Sequence, residues 1–101
     1  MIFNLEKSKY DISISSNFKK NYKKIRKQGK DINKLIYVLE KLSNGDKLEE
    51  KYRDHLLIDD NVYKNCRECH IESDWLLVYR IDNNQLILLL VATGSHSEIF
   101  N

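Results

Sequence analysis

The sequence predicts an α+β fold of the order β-α-α-β-β-β, with a helical hairpin packed on one face of a mainly antiparallel four-stranded sheet. Three observations carry this. Apolar residues recur at helical spacing through residues 16–43 and at strand spacing from residue 65 onward. The chain has no proline and only three glycines, which leaves little room for long loops. Its 101 residues suffice to bury one core but not two, so one domain over 1–101 is expected.

The elements follow in order. "YDISIS" (10–15) alternates and is rich in Ile, the pattern of a strand. Ser15 or Ser16 offers an N-cap for a first helix, whose Phe18, Tyr22 and Ile25 fall on one side, and Gly29 is a stop signal. Asp31 caps a second helix with Ile32, Leu35, Ile36, Leu39 and Leu42 as its stripe, ending at Asn44-Gly45. Residues 46–65 are polar and aperiodic and read as a loop with at most a turn of helix. Strands are expected at 65–71, 74–82 and 85–93, joined by a Glu72-Ser73 corner and an Asn83-Asn84 turn.

Those turns imply a register. Asp82 would pair with Gln85, Trp75 with Ala92, and His70 with Trp75, placing His70, Trp75 and Ala92 in one row. Cys69, Ile71, Leu76, Val78, Leu89 and Val91 would face the helices. Leu77, Tyr79, Leu86, Leu88 and Leu90, with Ile81, would lie on the His70 side as an apolar surface too large for a free monomer. Either a partner or the 46–65 loop would cover it.

Charge and compartment narrow the function. Net charge is +2, but residues 16–30 carry seven Lys/Arg and no acid. Lys19, Lys20, Lys23, Lys24, Arg26 and Lys27 lie in this run, interleaved with Phe18 and Tyr22. The stripe suits a phosphate backbone; equally it is the solvated face of an amphipathic helix. No apolar run is long enough to span a membrane. The opening "MIFNLEKSKY" lacks the layout of a signal peptide, so the cytoplasm is expected.

Within "NCRECHIESDW", Cys66-x-x-Cys69-His70 matches the pattern of c-type haem attachment. A reducing compartment and a single Met, at position 1, argue against it. Cysteines three apart on a strand also point to opposite faces. His55, His70, His96, Cys66 and Cys69 match no compact zinc spacing. Neither a metal nor a cofactor is expected.

The run "CHIESDWLLVYRI" followed by "TGSHSEIF" resembles the C-terminal half of YafQ-type toxins in the RelE/ParE superfamily of type II toxin–antitoxin systems. The resemblance is strongest over residues 51–100, through Asp-His, His-x-x-x-Asp-Trp and Gly-Ser-His-Ser-x-x-Phe in this order. With the less specific hairpin "KKNYKKIRKQGKDINKLIYVLEKL" it spans about four fifths of the chain. Residues 1–9 fall outside it, as a possible extension.

The resemblance implies an mRNA interferase that cuts the message in the ribosomal A site without a metal. The ribose 2′-OH would attack the adjacent phosphate. A cognate antitoxin would inhibit the toxin, which would be monomeric when free and hetero-oligomeric with its antitoxin. Position by position it implies His55, His70, Asp74 and His96 as the acid–base set, with His96 as general acid and His70 or Asp74 as base. His suits such work because it titrates near neutrality. Phe100 would position a nucleotide, and Trp75 would stack a base or else pack the sheet. The first-helix lysines would dock on ribosomal RNA. One departure stands out: many relatives carry Arg where this chain has Ala92. Phosphorane stabilisation would then fall to loop cations, Lys51, Arg53 and Lys64, with Arg53 and Lys64 as substrate-binding groups. A member of the same fold that binds its target without cutting, as in the ParE branch, is the alternative.

Overall fold

The computed structural model describes residues 8–100, so most of the expected N-terminal extension lies outside the described residues. Local chemistry sets the helices. The Ser15 hydroxyl accepts from Phe18 N at 2.9 Å and opens α1 (Ser16–Lys27). Asp31 accepts from Asn33 N at 3.1 Å and opens α2 (Ile32–Ser43). Between them Gly29 adopts φ 77°, a left-handed conformation that a side chain would disfavour. Phe18 and Ile25 from α1 and Leu35, Val38, Leu39 and Leu42 from α2 are buried on the sheet.

The sheet has five strands rather than the expected four: β1 (Asp11–Ile14), β2 (His55–Leu56), β3 (Arg67–Glu72), β4 (Trp75–Asp82) and β5 (Ile87–Gly94). Their spatial order is β1-β5-β4-β3-β2, with β1 parallel to β5 and the other pairs antiparallel. The strand that sequence reading missed, β2, is two residues long, too short for any alternation to show. It follows a single 3₁₀ turn, Glu50–Tyr52, inside the segment read as a loop. A five-residue helix after β5, α3 (His96–Phe100), was also not expected. Among the described residues no helix is long and apolar enough to cross a membrane.

Two bulges overturn the expected assignment of faces. The corner is Ser73-Asp74 rather than Glu72-Ser73, so Glu72 pairs with Trp75. The register then slips, and His70 pairs with Leu76 rather than Trp75. One extra residue in a strand moves every side chain beyond it to the other face. Trp75, Leu77 and Tyr79 therefore lie under the helices with Cys69 and Ile71, and Leu88 and Leu90 join them. The apolar surface expected to need a partner is thus largely core: only Leu86 of that set is well exposed, at 45%. Leu76 and Val78 occupy the opposite face with Cys66, Ala92 and Ile99, where Val91, Leu57, Tyr63 and Phe100 pack against them.

The second slip falls between Val78 and Tyr79, where Tyr79 pairs with Leu90 but Val78 pairs with Ala92. The extra residue, Val91, offers its carbonyl to the hydroxyl of Ser15, 2.8 Å away at the start of α1. The far turn is also longer than expected. Asp82 pairs with Ile87, and Asp82 Oδ1 accepts from Asn84 N and Gln85 N at 2.9 and 3.1 Å.

Trp75 is fully buried; its Nε1 donates to Thr93 Oγ1 at 3.0 Å, and that hydroxyl donates to Leu76 O at 2.7 Å. A base-stacking role is excluded by this position. Trp75→Ala is expected to lower unfolding free energy by about 3–5 kcal/mol in urea denaturation followed by circular dichroism. An unchanged midpoint would return the ring to the surface.

Candidate functional site

The site is built where the β3–β4 corner meets α3. Ser95 and Glu98 close a reciprocal cap: Ser95 N donates to Glu98 Oε1 at 2.9 Å, and Glu98 N donates to Ser95 Oγ at 3.2 Å. Gly94 precedes it at φ 149°, and a Cβ there would meet Glu98 Oε1 at 3.1 Å. Lys24 of α1 reaches Glu98 Oε2 at 2.5 Å. The Lys24 ammonium, helped by the Ser95 amide, holds the Glu98 carboxyl down from its ordinary 4.5 to about 2.

This short helix is tied to the corner by one contact: the backbone N–H of His96 donates to Asp74 Oδ1 at 3.0 Å. On the other side of the corner, His70 Nδ1 lies 3.3 Å from the carbonyl of Ser73, which can only accept, so in the neutral ring the lone pair sits on Nε2. His70, Leu76 and Gly94 form one row across three strands on one face. His70, Asp74 and His96 therefore gather at one end of the sheet. The His96 ring lies 4.9 Å from that of Phe100, and Phe100 meets Tyr63 edge-on at 5.7 Å. The Tyr63 hydroxyl donates to Ile99 O at 3.2 Å.

The adjacent row is His55, Glu68, Val78 and Ala92. Glu68 and His70, two apart on β3, project from the same face roughly 7 Å apart. His55 Nε2 lies 3.1 Å from Glu68 Oε2, and its Nδ1 lies 2.8 Å from the carbonyl of Arg53. With a proton on each nitrogen both contacts are hydrogen bonds, and the ring then has no lone pair to offer a substrate. Glu68 is buried, and its other oxygen, Oε1, has no hydrogen-bond partner among the described residues. Next to His55, Asp54 accepts from the Tyr79 hydroxyl and from Arg67 Nη2 at 3.1 Å, which fastens the β2 segment to the sheet.

Sequence reasoning missed Glu68, Tyr63, Ser95 and Glu98. The last two were visible as Ser-x-x-Glu, a capping signature. Glu68 needed the register of a two-residue strand.

The remaining expected residues are more scattered. Arg53 lies beside His70, on a cavity described below. Lys64 is exposed on the turn after Tyr63. Lys19, Lys20, Lys23, Arg26 and Lys27 are exposed along α1, while Lys24 is engaged by Glu98. Ala92 is buried against Leu76 and Val78, not at the rim. Arg80 projects from the same face as Val78, two residues along β4. Cys66 and Cys69 belong to the clusters on opposite faces, and burial pushes both thiols up. They cannot jointly hold a prosthetic group.

The fold that carries this corner is shared with known toxin structures. The family described as bacterial toxin of type II toxin–antitoxin system, YafQ, matches residues 10–101. The mRNA interferase toxin YafQ of Escherichia coli is 36% identical over 91 residues, covering 89% of this chain and 95% of that protein. The crystal structure of the E. coli DinJ–YafQ toxin–antitoxin complex superposes with TM-score 0.82 at 34% identity, covering 92% of this chain and 99% of its counterpart. That of a metal-bound toxin from Helicobacter pylori gives 0.83 at 41% identity, covering 90% and 99%. Among the described residues of the present chain, no group of three or more His, Cys, Asp or Glu is placed to hold a metal ion.

The class is thus that of type II toxin–antitoxin toxins. Within it, this chain belongs to the YafQ toxin family.

The depressed Glu98 fixes a pH dependence. Its folded value lies below the ordinary one, so its contribution is complete above about pH 4.5 and disappears as pH falls towards 2. The α3 amides are expected to lose hydrogen-exchange protection across that window, ahead of the core. In Glu98→Gln they should already be less protected at neutral pH.

Proposed function

We propose that this protein is the toxin of a type II system and an endoribonuclease that cuts mRNA on the ribosome, in the cytoplasm, until a cognate antitoxin binds it. The observation that carries the reading is the convergence of His70, Asp74 and His96 at one end of the sheet. The E. coli relatives are named mRNA interferases, and one of them is seen with its antitoxin. The domain runs through 1–101, with the residues before 10 as an extension outside the family match.

The chemistry uses the chain's own residues. His70 Nε2 takes the proton of the ribose 2′-OH as its oxygen attacks the adjacent phosphorus. The P–O5′ bond breaks, and His96 gives its proton to the departing 5′-oxygen. The products are a 2′,3′-cyclic phosphate and a 5′-OH. DNA is not cut, because it lacks the nucleophile. Asp74 holds the His96 backbone at the corner. His55, whose two N–H groups are taken by Arg53 O and Glu68, offers the developing charge a nearby cationic ring rather than a hydrogen bond. Phe100 positions a nucleotide beside His96. Lys19, Lys20, Lys23, Arg26 and Lys27 dock on ribosomal RNA, Lys64 and Arg53 on the message. Free toxin is a monomer, and the inhibited form is a hetero-oligomer with antitoxin.

A non-cleaving binder of the same fold remains the second reading, because Ala92 stands where many relatives carry a cation. Arg80, on that face, offers one nearby.

Toeprinting of a message on ribosomes is expected to give new 5′ ends within the A-site codon. His70→Ala and His96→Ala should each slow cleavage roughly 100-fold or more while keeping the parent's unfolding midpoint. Growth arrest with every message intact would establish the binder instead.

A further inference from the structure

A cavity of about 520 Å³ opens on the flank of His70 away from α3. Its walls come from α2, the 3₁₀ turn and the end of β3. They include Tyr37, Tyr52, Lys34, Lys51 and Arg53, with His70 at one edge. Resting on the nuclease reading above, we propose that this cavity is a second nucleotide subsite, holding the message residue that neighbours the scissile phosphate on the side opposite Phe100.

Three features argue for a nucleotide. The volume lies within the range of roughly 300–1,000 Å³ typical of small-ligand sites, large enough for a base and its ribose. The walls pair aromatic faces with cations, the combination that grips single-stranded nucleic acid by stacking and backbone charge. Tyr37 is 42% exposed and stands 6.3 Å from the Tyr52 ring, and Lys51 Nζ lies 5.2 Å from the centroid of Tyr52. The one acid on the walls, Glu72, is already matched by Lys34 Nζ at 2.6 Å, so Lys51 and Arg53 leave the cavity with a positive excess. That balance fits a phosphate better than an acidic peptide.

The backbone adds an independent observation. Arg53 sits at φ 48°, a left-handed conformation that costs a non-glycine residue, and its carbonyl is the group that holds His55. One strained residue thus joins the cavity to the His55–Glu68 pair. His70 belongs to both the cavity and the corner, so a nucleotide seated here abuts the reacting phosphate.

The test uses Tyr37→Ala and Tyr37→Leu, surface substitutions outside the acid–base set that remove the aromatic face. In ribosome-programmed cleavage each is expected to raise KM roughly five- to tenfold with kcat nearly unchanged, and to alter the ranking of codons cut. A trinucleotide RNA carrying a 2′-O-methyl at the scissile position should shift the ring resonances of Tyr37 and Tyr52. Cleaving parent protein with variants equal to it in KM and codon ranking, or trinucleotide shifts confined to His96 and Phe100, would overturn the subsite alone. A parent that leaves messages whole would sink the nuclease reading and the subsite together.

Discussion

One extra residue in each of two strand pairings decides which side chains this protein hides and which it presents. The slip after His70 turns Trp75, Leu77 and Tyr79 under the helices, and it leaves His70 on the open face. The slip at Val91 brings Ala92 and Gly94 into the rows of Glu68 and His70. Without them the core would lose its tryptophan to solvent, and α3 would leave β5 on the wrong side. Bulges cost ladder hydrogen bonds, and here one of them is offset by Ser15, whose hydroxyl takes the spare carbonyl while capping α1. Helix start and strand irregularity are therefore fastened by a single side chain.

The functional face is held from its edges. Asp54 binds Tyr79 and Arg67 and so fixes the chain just before His55. Asp74 binds the His96 amide, and Glu98 binds Ser95 and Lys24. In each case an acid anchors backbone or a neighbouring strand while an imidazole is left near the surface. Glu68 is the exception, since it grips the imidazole of His55 directly and keeps one oxygen without a partner among the described residues. Such a buried, half-satisfied carboxylate is costly in a purely structural setting.

Much of the architecture was legible in the sequence. Helical periodicity, the Ser15 and Asp31 caps and the alternation of the last three strands all produced elements close to where they lie. Side-chain facing was not, because parity depends on counting every residue through a turn, and neither bulge has a signature such as glycine. Placing Trp75 on the His70 face followed directly from that miscount. The candidate site residues His70, Asp74 and His96 were singled out through motif order and resemblance, not register. Their joining contact, a backbone amide to a carboxylate, leaves no trace in residue type. The His55–Glu68 pair was invisible for another reason: a strand of two residues has no period.

Lys24 has a consequence of its own. It is the member of the basic run on α1 that also serves as counter-ion to Glu98, the residue that caps the helix bearing His96. A polyanion that recruits this ammonium must take it from the cap. Any seating of Lys24 on a phosphate surface and the firmness of the C-terminal turn would thus be opposite sides of one exchange, thermodynamically linked through a single ammonium.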